Sequence, residues 1–453
     1  MNKEIELKNY LNKLFNEYEA RTRKSKELFE KAYKYLPGGV DYSIRFFKPY
    51  PLFIVKGDGP YVWDVDGNQY IDLWMGHGVN ILGHKPDFVL ENVDKIERNG
   101  INLGFENPYV VEYAEFLVKT LPHIEQFKFC NTGTEANMYA LRLARAFTKR
   151  NYIIKIEGGW HGGLDQLHYG VYPPFNELDS LGIPRDYVKY TLLAPFNELD
   201  VVEKYLRKYD VACILLEPVP GAGGCIEPSI EYLNGLRKLT NEYGALLVFD
   251  EVITGFRLSY GGAQEYFNIR ADLVIYGKIL GGGYPGAGGF AGSREIMEYL
   301  DQVKRPHSRD RCSVSGTFIG NTVTIIAGYT LIKYLYENRD KYESFNKLWR
   351  ETAMKLDSIC EHYDRLCWIT NVGNLTGIHF TENKPLNVNQ AYLKRWSNIV
   401  YDVAHVYFRL NNILYMTPHM IHFLPSMIHN REHCDRIINT FEKLINELRN
   451  LIK

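Results

Sequence analysis

Polar and apolar positions divide the chain into four regimes. Residues 1–36 are rich in Lys and Glu with isolated apolar positions, the pattern of a polar helix, and Leu36-Pro37-Gly38-Gly39 ends it. Short apolar runs follow at Leu52–Val55 and Gln69–Leu73, with Asp58-Gly59 and Asp66-Gly67 as turns, which predicts a small antiparallel hairpin region. From about 105 to 300, helical patterns alternate with short strands: Gln126–Cys130, Tyr152–Ile156, Val211–Leu216, Ala245–Phe249 and Leu273–Ile275. Strands of this apolar kind, separated by helices, predict an α/β fold with a mostly parallel sheet covered on both faces. After about 325 the pattern reads as a smaller α+β domain that closes with an amphipathic helix from about Arg431 to Ile452. The expected domains are 1–104, an N-terminal helix and antiparallel segment belonging to the small domain; 105–325, the large sheet domain; and 326–453, the rest of the small domain. No internal repeat or low-complexity linker interrupts them.

Composition narrows the functional classes. At 453 residues, 45% hydrophobic and 24% charged, the chain is an ordinary globular protein large enough for two domains. A formal net charge of −1 supplies no field to gather nucleic acid or an anionic membrane. Seven cysteines, an odd number without regular spacing, argue against a disulfide framework or a zinc cluster. The start, Met1-Asn2-Lys3-Glu4-Ile5-Glu6, lacks an apolar signal core, and no stretch is long and apolar enough to span a membrane. A cytoplasmic enzyme of small molecules, with no metal, is expected.

Candidate chemistry gathers at the strand ends, where ligands bind in parallel sheets. Asp250 ends the apolar run 245–249, and Lys278 follows 28 residues later in Gly277-Lys278-Ile279-Leu280-Gly281. An amine able to form a Schiff base and a carboxylate able to face a pyridine nitrogen are what pyridoxal phosphate (PLP) chemistry requires. A strand-end carboxylate and a solvated lysine have the same spacing. Thr132-Gly133-Thr134 lies between a strand and a helix of good formers, where free N–H groups and hydroxyls can cradle a phosphate or where a plain N-cap can sit. Gly158-Gly159-Trp160-His161-Gly162-Gly163 follows the next strand; Trp160 is available to stack on a flat ligand or to fill a core.

In order and spacing these segments resemble the class III (omega-type) PLP-dependent aminotransferases, and within that family the glutamate-1-semialdehyde 2,1-aminomutase subgroup. The resemblance runs from Pro37-Gly38-Gly39-Val40 to about Pro418, through Asn131–Ala136, Trp160-His161-Gly162, Glu217-Pro218-Val219, Phe249–Arg257, Gly277-Lys278 and Ser315–Asn321. It implies PLP-dependent transferase fold type I, the aspartate aminotransferase-like architecture, with PLP held by the large domain. It further implies that Lys278 is the Schiff-base lysine and proton carrier, and that Asp250 pairs with the pyridinium nitrogen. Val252 and Trp160, with His161, would flank the ring, while Gly133 and Thr134 hold the phosphate. Glu217 would lie at the edge of the site. In the family a threonine matching Thr317 reaches the neighbouring subunit's cofactor phosphate, which implies a homodimer.

Substrate-facing positions are less uniform. Arg45, after the Pro37–Val40 turn, matches an arginine that binds the substrate carboxylate in the aminomutase subgroup; it also fits a surface hairpin. Ile81-Leu82-Gly83-His84 follows the subgroup's pattern too. Three features depart from it: His77 stands where the subgroup has tryptophan, Ala222 where it has asparagine, and Tyr415–Pro425 lacks its glutamate. His419 and His422 in that segment are candidates to line a substrate pocket, or loop histidines without a role. Departures at substrate positions beside an intact cofactor set favour an aminotransferase working by ping-pong between an amino acid, glutamate first, and a small carbonyl acceptor. The aminomutase reaction is the alternative, and a non-catalytic PLP-fold binding protein a remote one.

Overall fold

The computed structural model describes residues 2–452 and contains two units. The larger comprises residues 87–343 and 386–392. It is built on a seven-stranded sheet whose strands, with three earlier ones in the other unit, run β4 (Gln126–Cys130), β5 (Tyr152–Ile156), β6 (Thr191–Ala194), β7 (Val211–Leu216), β8 (Leu246–Asp250), β9 (Leu273–Gly277) and β10 (Gly288–Gly292). The spatial order is β4-β10-β9-β8-β7-β5-β6; only β10 runs antiparallel to its neighbours. Every residue of β7, β8 and β9 is buried, as their unbroken apolar runs require of central strands. Helices Gly133–Thr148, Leu199–Lys208 and Ile230–Tyr243 supply covering apolar stripes, among them Leu141 and Leu143, Val202 and Leu206, and Leu233 and Leu236. The strands β6 and β10 have no counterpart in the sequence-based expectation. Gly288-Gly289-Phe290-Ala291-Gly292 carries no hydrophobic alternation, because its glycines let backbones close in: a Cβ on Gly288 would lie 2.3 Å from the carbonyl oxygen of Thr132.

The smaller unit comprises, among the described residues, 2–86, 344–385 and 393–452. One sheet orders β1 (Ile54–Asp58), β2 (Tyr61–Asp64), β3 (Gln69–Asp72) and β13 (Ile413–Leu414); a second orders β11 (Trp368–Val372), β12 (Leu375–His379) and β14 (Ile421–Phe423). The polar N-terminal segment forms two helices, Asn2–Arg21 and Arg23–Ala32, separated by Thr22 with non-helical angles. Leu7, Leu11, Leu14 and Tyr18 make the buried stripe of the first, in one core with Phe408 and Leu444. The sequence boundaries at 104/105 and 325/326 fall within the larger unit, the second of them inside helix Thr322–Glu337.

The cysteine spacing argued against disulfides, yet Cys360 and Cys367 are bonded. Asp364 and Arg365 take left-handed angles after helix Lys341–His362 and fold the chain back, so the two Cα atoms lie 5.4 Å apart. Such a reversal is not encoded in cysteine spacing. No helix among the described residues is long and apolar enough to cross a membrane.

Candidate active site

Three adjacent parallel strands deliver the chemistry. Glu217 follows β7, Asp250 ends β8 and Lys278 follows β9, so all three stand at the carboxyl edge of the larger unit's sheet. Asp250 is fully buried. Its Oδ2 accepts from His161 Nδ1 at 2.7 Å and from Asn137 Nδ2 at 2.9 Å, while Oδ1 accepts from the Val252 N–H at 3.0 Å. A carboxylate gripped by donors on three sides has its direction fixed. His161 is buried, and its pKa is pushed down by desolvation against the opposing pull of Asp250.

Lys278 takes a left-handed backbone, φ +47°, uncommon for a residue with a Cβ and characteristic of functional positions. No hydrogen bond holds its amine among the described residues. Burial lowers its pKa; Glu217 and Asp250 oppose that shift, and Arg257 adds to it. Glu217 is buried, with Oε1 accepting from the Trp160 N–H at 2.9 Å and Oε2 from the Gly221 N–H at 3.1 Å. Burial, then the Asp250 charge, push its carboxyl upward. Glu217 therefore fixes the backbone of the loop that carries Trp160, whose ring meets His168 edge-on at 5.4 Å.

The helix Gly133–Thr148 opens on a capping box. Thr132 Oγ1 accepts from the Glu135 N–H at 3.1 Å, and Glu135 reaches back to the Asn131 N–H at 2.9 Å. The Thr132 hydroxyl is thus spent on the cap, while the N–H groups of Gly133 and Thr134 carry no hydrogen bond among the described residues. Two free donors at a helix N-terminus are a site for phosphate. The surroundings are close: a Cβ on Gly162 would stand 2.0 Å from Thr134 Oγ1, and one on Gly133 would stand 2.9 Å from Val252. Val252 also packs near Gly277, so it lies between the helix start and the residue preceding Lys278. An anion cradle, a fixed carboxylate and an unbonded amine on one sheet edge fit PLP. Thr317 is exposed, and its carbonyl accepts from Asn102 Nδ2 at 3.3 Å. Its loop is held by Arg142, donating to the Ser313 carbonyl at 2.9 Å, and by the Tyr139 hydroxyl, donating to that of Ser315 at 2.8 Å.

The four expected substrate residues belong to the smaller unit. Arg45 is exposed on one side and bonded to both carboxylate oxygens of Asp41, at 2.9 and 3.1 Å. His77, at φ +64°, stacks on Tyr42 at 5.7 Å and meets Trp74 at 5.0 Å. His422 is buried, donates from Nδ1 to the Met420 carbonyl at 2.8 Å and meets Trp74 on its ring at 5.1 Å. Arg45, Tyr42, His77, Trp74 and His422 thus form one run of ring contacts. His419 stands outside it, exposed. Asn137 was not singled out from sequence: four residues after Gly133, inside a helix, nothing marks it until Asp250 meets it.

The family model for aminotransferase class-III matches residues 45–445. Glutamate-1-semialdehyde 2,1-aminomutase of Methanosphaera stadtmanae is 37% identical over 433 residues, covering 94% of this chain and 99% of that protein. An omega-transaminase of Sphaerobacter thermophilus has the same fold with a TM-score of 0.87 at 27% identity, covering 94% of this chain and 98% of that one. A transaminase solved with PLP bound gives a TM-score of 0.84 at 26% identity over 95% of this chain and 98% of that one.

Proposed function

The chain belongs to the aminotransferase class-III family, a PLP-dependent enzyme family, and on that footing we propose that it moves an amino group within one molecule, converting glutamate 1-semialdehyde to 5-aminolevulinate. The observation that carries this reading is the 37% identity to a named aminomutase over nearly the whole of both chains. It reverses the order of preference that the sequence departures alone set.

PLP bound at this site supplies an electron sink for the carbon that loses its proton. Gly133 and Thr134 would hold its phosphate with their free N–H groups, and Asp250 would pair with its ring nitrogen. Val252 and Trp160 would flank the ring, with His161 bonded to Asp250 and holding it. Lys278 Nζ carries the chemistry: its lowered pKa raises the neutral fraction that can take a proton from the substrate carbon bearing nitrogen and return it at the neighbouring position. Arg45 exchanges Asp41 for the substrate carboxylate, since a guanidinium fork serves either carboxylate. His77 and His422, which share Arg45's run of ring contacts, are with it the proposed substrate residues of the smaller unit, and exposed His419 is a further candidate there. Thr317 acts across a homodimer, its hydroxyl reaching the partner's cofactor phosphate; exposed Ile101, Phe105 and Phe318 beside it supply apolar surface for that contact.

A second reading, transfer from glutamate to a separate small carbonyl acceptor, is favoured by Ala222 and His77 and by the fold likeness to an omega-transaminase. Glutamate 1-semialdehyde given alone to the PLP-loaded enzyme separates the two. Steady formation of 5-aminolevulinate with no second substrate is expected; product formed only when a second carbonyl compound is added would establish the intermolecular reaction instead.

A further inference from the structure

We infer that Asn137 is a positioning residue that ties the phosphate end of the cofactor site to the ring-nitrogen end. Asn137 lies one turn into helix Gly133–Thr148 and is 1% exposed. Its Nδ2 donates both to the Gly133 carbonyl at 3.0 Å and to Asp250 Oδ2 at 2.9 Å. Neither a carbonyl nor a carboxylate oxygen can donate, so the amide has only one workable orientation. Its Oδ1 is buried without a hydrogen-bond partner. The side chain therefore gives up its own acceptor to place two donors, the reverse of what a residue selected for packing does.

Those two acceptors belong to opposite ends of one ligand. Gly133 is the first residue of the helix whose free N–H groups take the phosphate, and Asp250 is the carboxylate that meets the pyridine nitrogen. Among the three donors on Asp250, His161 comes from the loop after β5 and Val252 from the turn after β8. Asn137 alone comes from the phosphate helix. It does not touch the reacting atoms; it sets the offset between phosphate cradle and carboxylate to the length of the ligand. The inference rests on the family's cofactor, and not on the choice between intramolecular and intermolecular transfer.

The test compares wild type and Asn137→Ala as full-length apo protein, titrated with PLP and with its 1-deaza analogue, in which a carbon replaces the pyridine nitrogen. The analogue keeps the phosphate and aldehyde but offers Asp250 no partner. Fluorescence titration is expected to show the PLP Kd rising about tenfold in the variant, the loss of one hydrogen bond to a charged group. The analogue's Kd should change by less than about twofold, because its binding does not use the Asp250 placement. Equal weakening of both ligands would reduce Asn137 to a structural role in the helix, and unchanged binding of both would remove it from the site. Should Asn137→Ala give no folded apo protein by thermal melting, Asn137→Ser, which keeps a short polar side chain, goes through the same two titrations and is judged by the same outcomes.

Discussion

At the scale of single residues, the carboxyl edge of the sheet collects groups whose charges are costly and must be matched. Glu251, next to Asp250, is buried; its carboxyl is pushed up to about 7 by desolvation, against the N–H groups of Ala263 and Gln264 and the hydroxyl of Thr254 that bond it. From its ordinary 4.5 to about 7 the native protein binds a proton that the unfolded chain has released, so this group's contribution to stability is lost as pH rises through that window. Glu217 adds a slope of the same sign. Glu251→Gln should flatten the fall in apo-protein stability between pH 4.5 and 7 and should lower stability at pH 7 by about 1–3 kcal/mol, since an amide cannot accept all three bonds. Thermal melts at a series of pH values read both effects, and an unchanged slope contradicts the assignment. Arg45→Ala should raise KM for a carboxylate substrate about tenfold or more while leaving kcat less affected, as loss of a charge-assisted contact does. An unchanged KM takes Arg45 out of substrate binding.

At the scale of elements, the capping box on helix Gly133–Thr148 holds both the helix and the two N–H groups left for phosphate. Thr132→Ala removes the cap and should cost about 1 kcal/mol of stability. It should also weaken PLP binding in a titration, because the first turn frays where the phosphate is proposed to bind; a melt that falls without loss of PLP affinity would separate the cap from the cradle. The elements also show what was legible in the sequence. The five strands read from apolar runs all appear, and Asp250 and Lys278 fall where parallel-sheet geometry places ligands. The glycine strand β10 was missed because close backbone approach, and not side-chain burial, makes it a strand. The Cys360–Cys367 bond was missed because it depends on a left-handed reversal at Asp364 and Arg365. Asn137 was illegible for a different reason: an asparagine inside a helix is an ordinary residue until a carboxylate from a distant strand meets it.

At the scale of the whole molecule, the segment 101–107 bonds the Thr317–Gly320 loop through Asn102 and Asn107, and apolar residues of the two segments are exposed: Phe105 is 88% exposed, Ile101 66% and Phe318 60%. This is the surface that the proposed homodimer would bury. Phe105→Asp should shift the species seen by light scattering from twice the chain mass toward the single chain and should weaken PLP binding with it, since Thr317 would lose its partner. A dimer of unchanged stability places the interface elsewhere. Lys278, proposed to hold PLP, has a competitor within the same unit. Lys155 is wholly buried on β5, bonded to the Gly170 carbonyl at 3.2 Å, and burial lowers its amine to about 8. Borohydride reduction of the PLP-loaded enzyme, followed by peptide mass spectrometry, fixes the cofactor to whichever lysine holds it. The phosphopyridoxyl group is expected on Lys278 alone; its appearance on Lys155, or on no lysine, would show that Lys278 does not hold PLP.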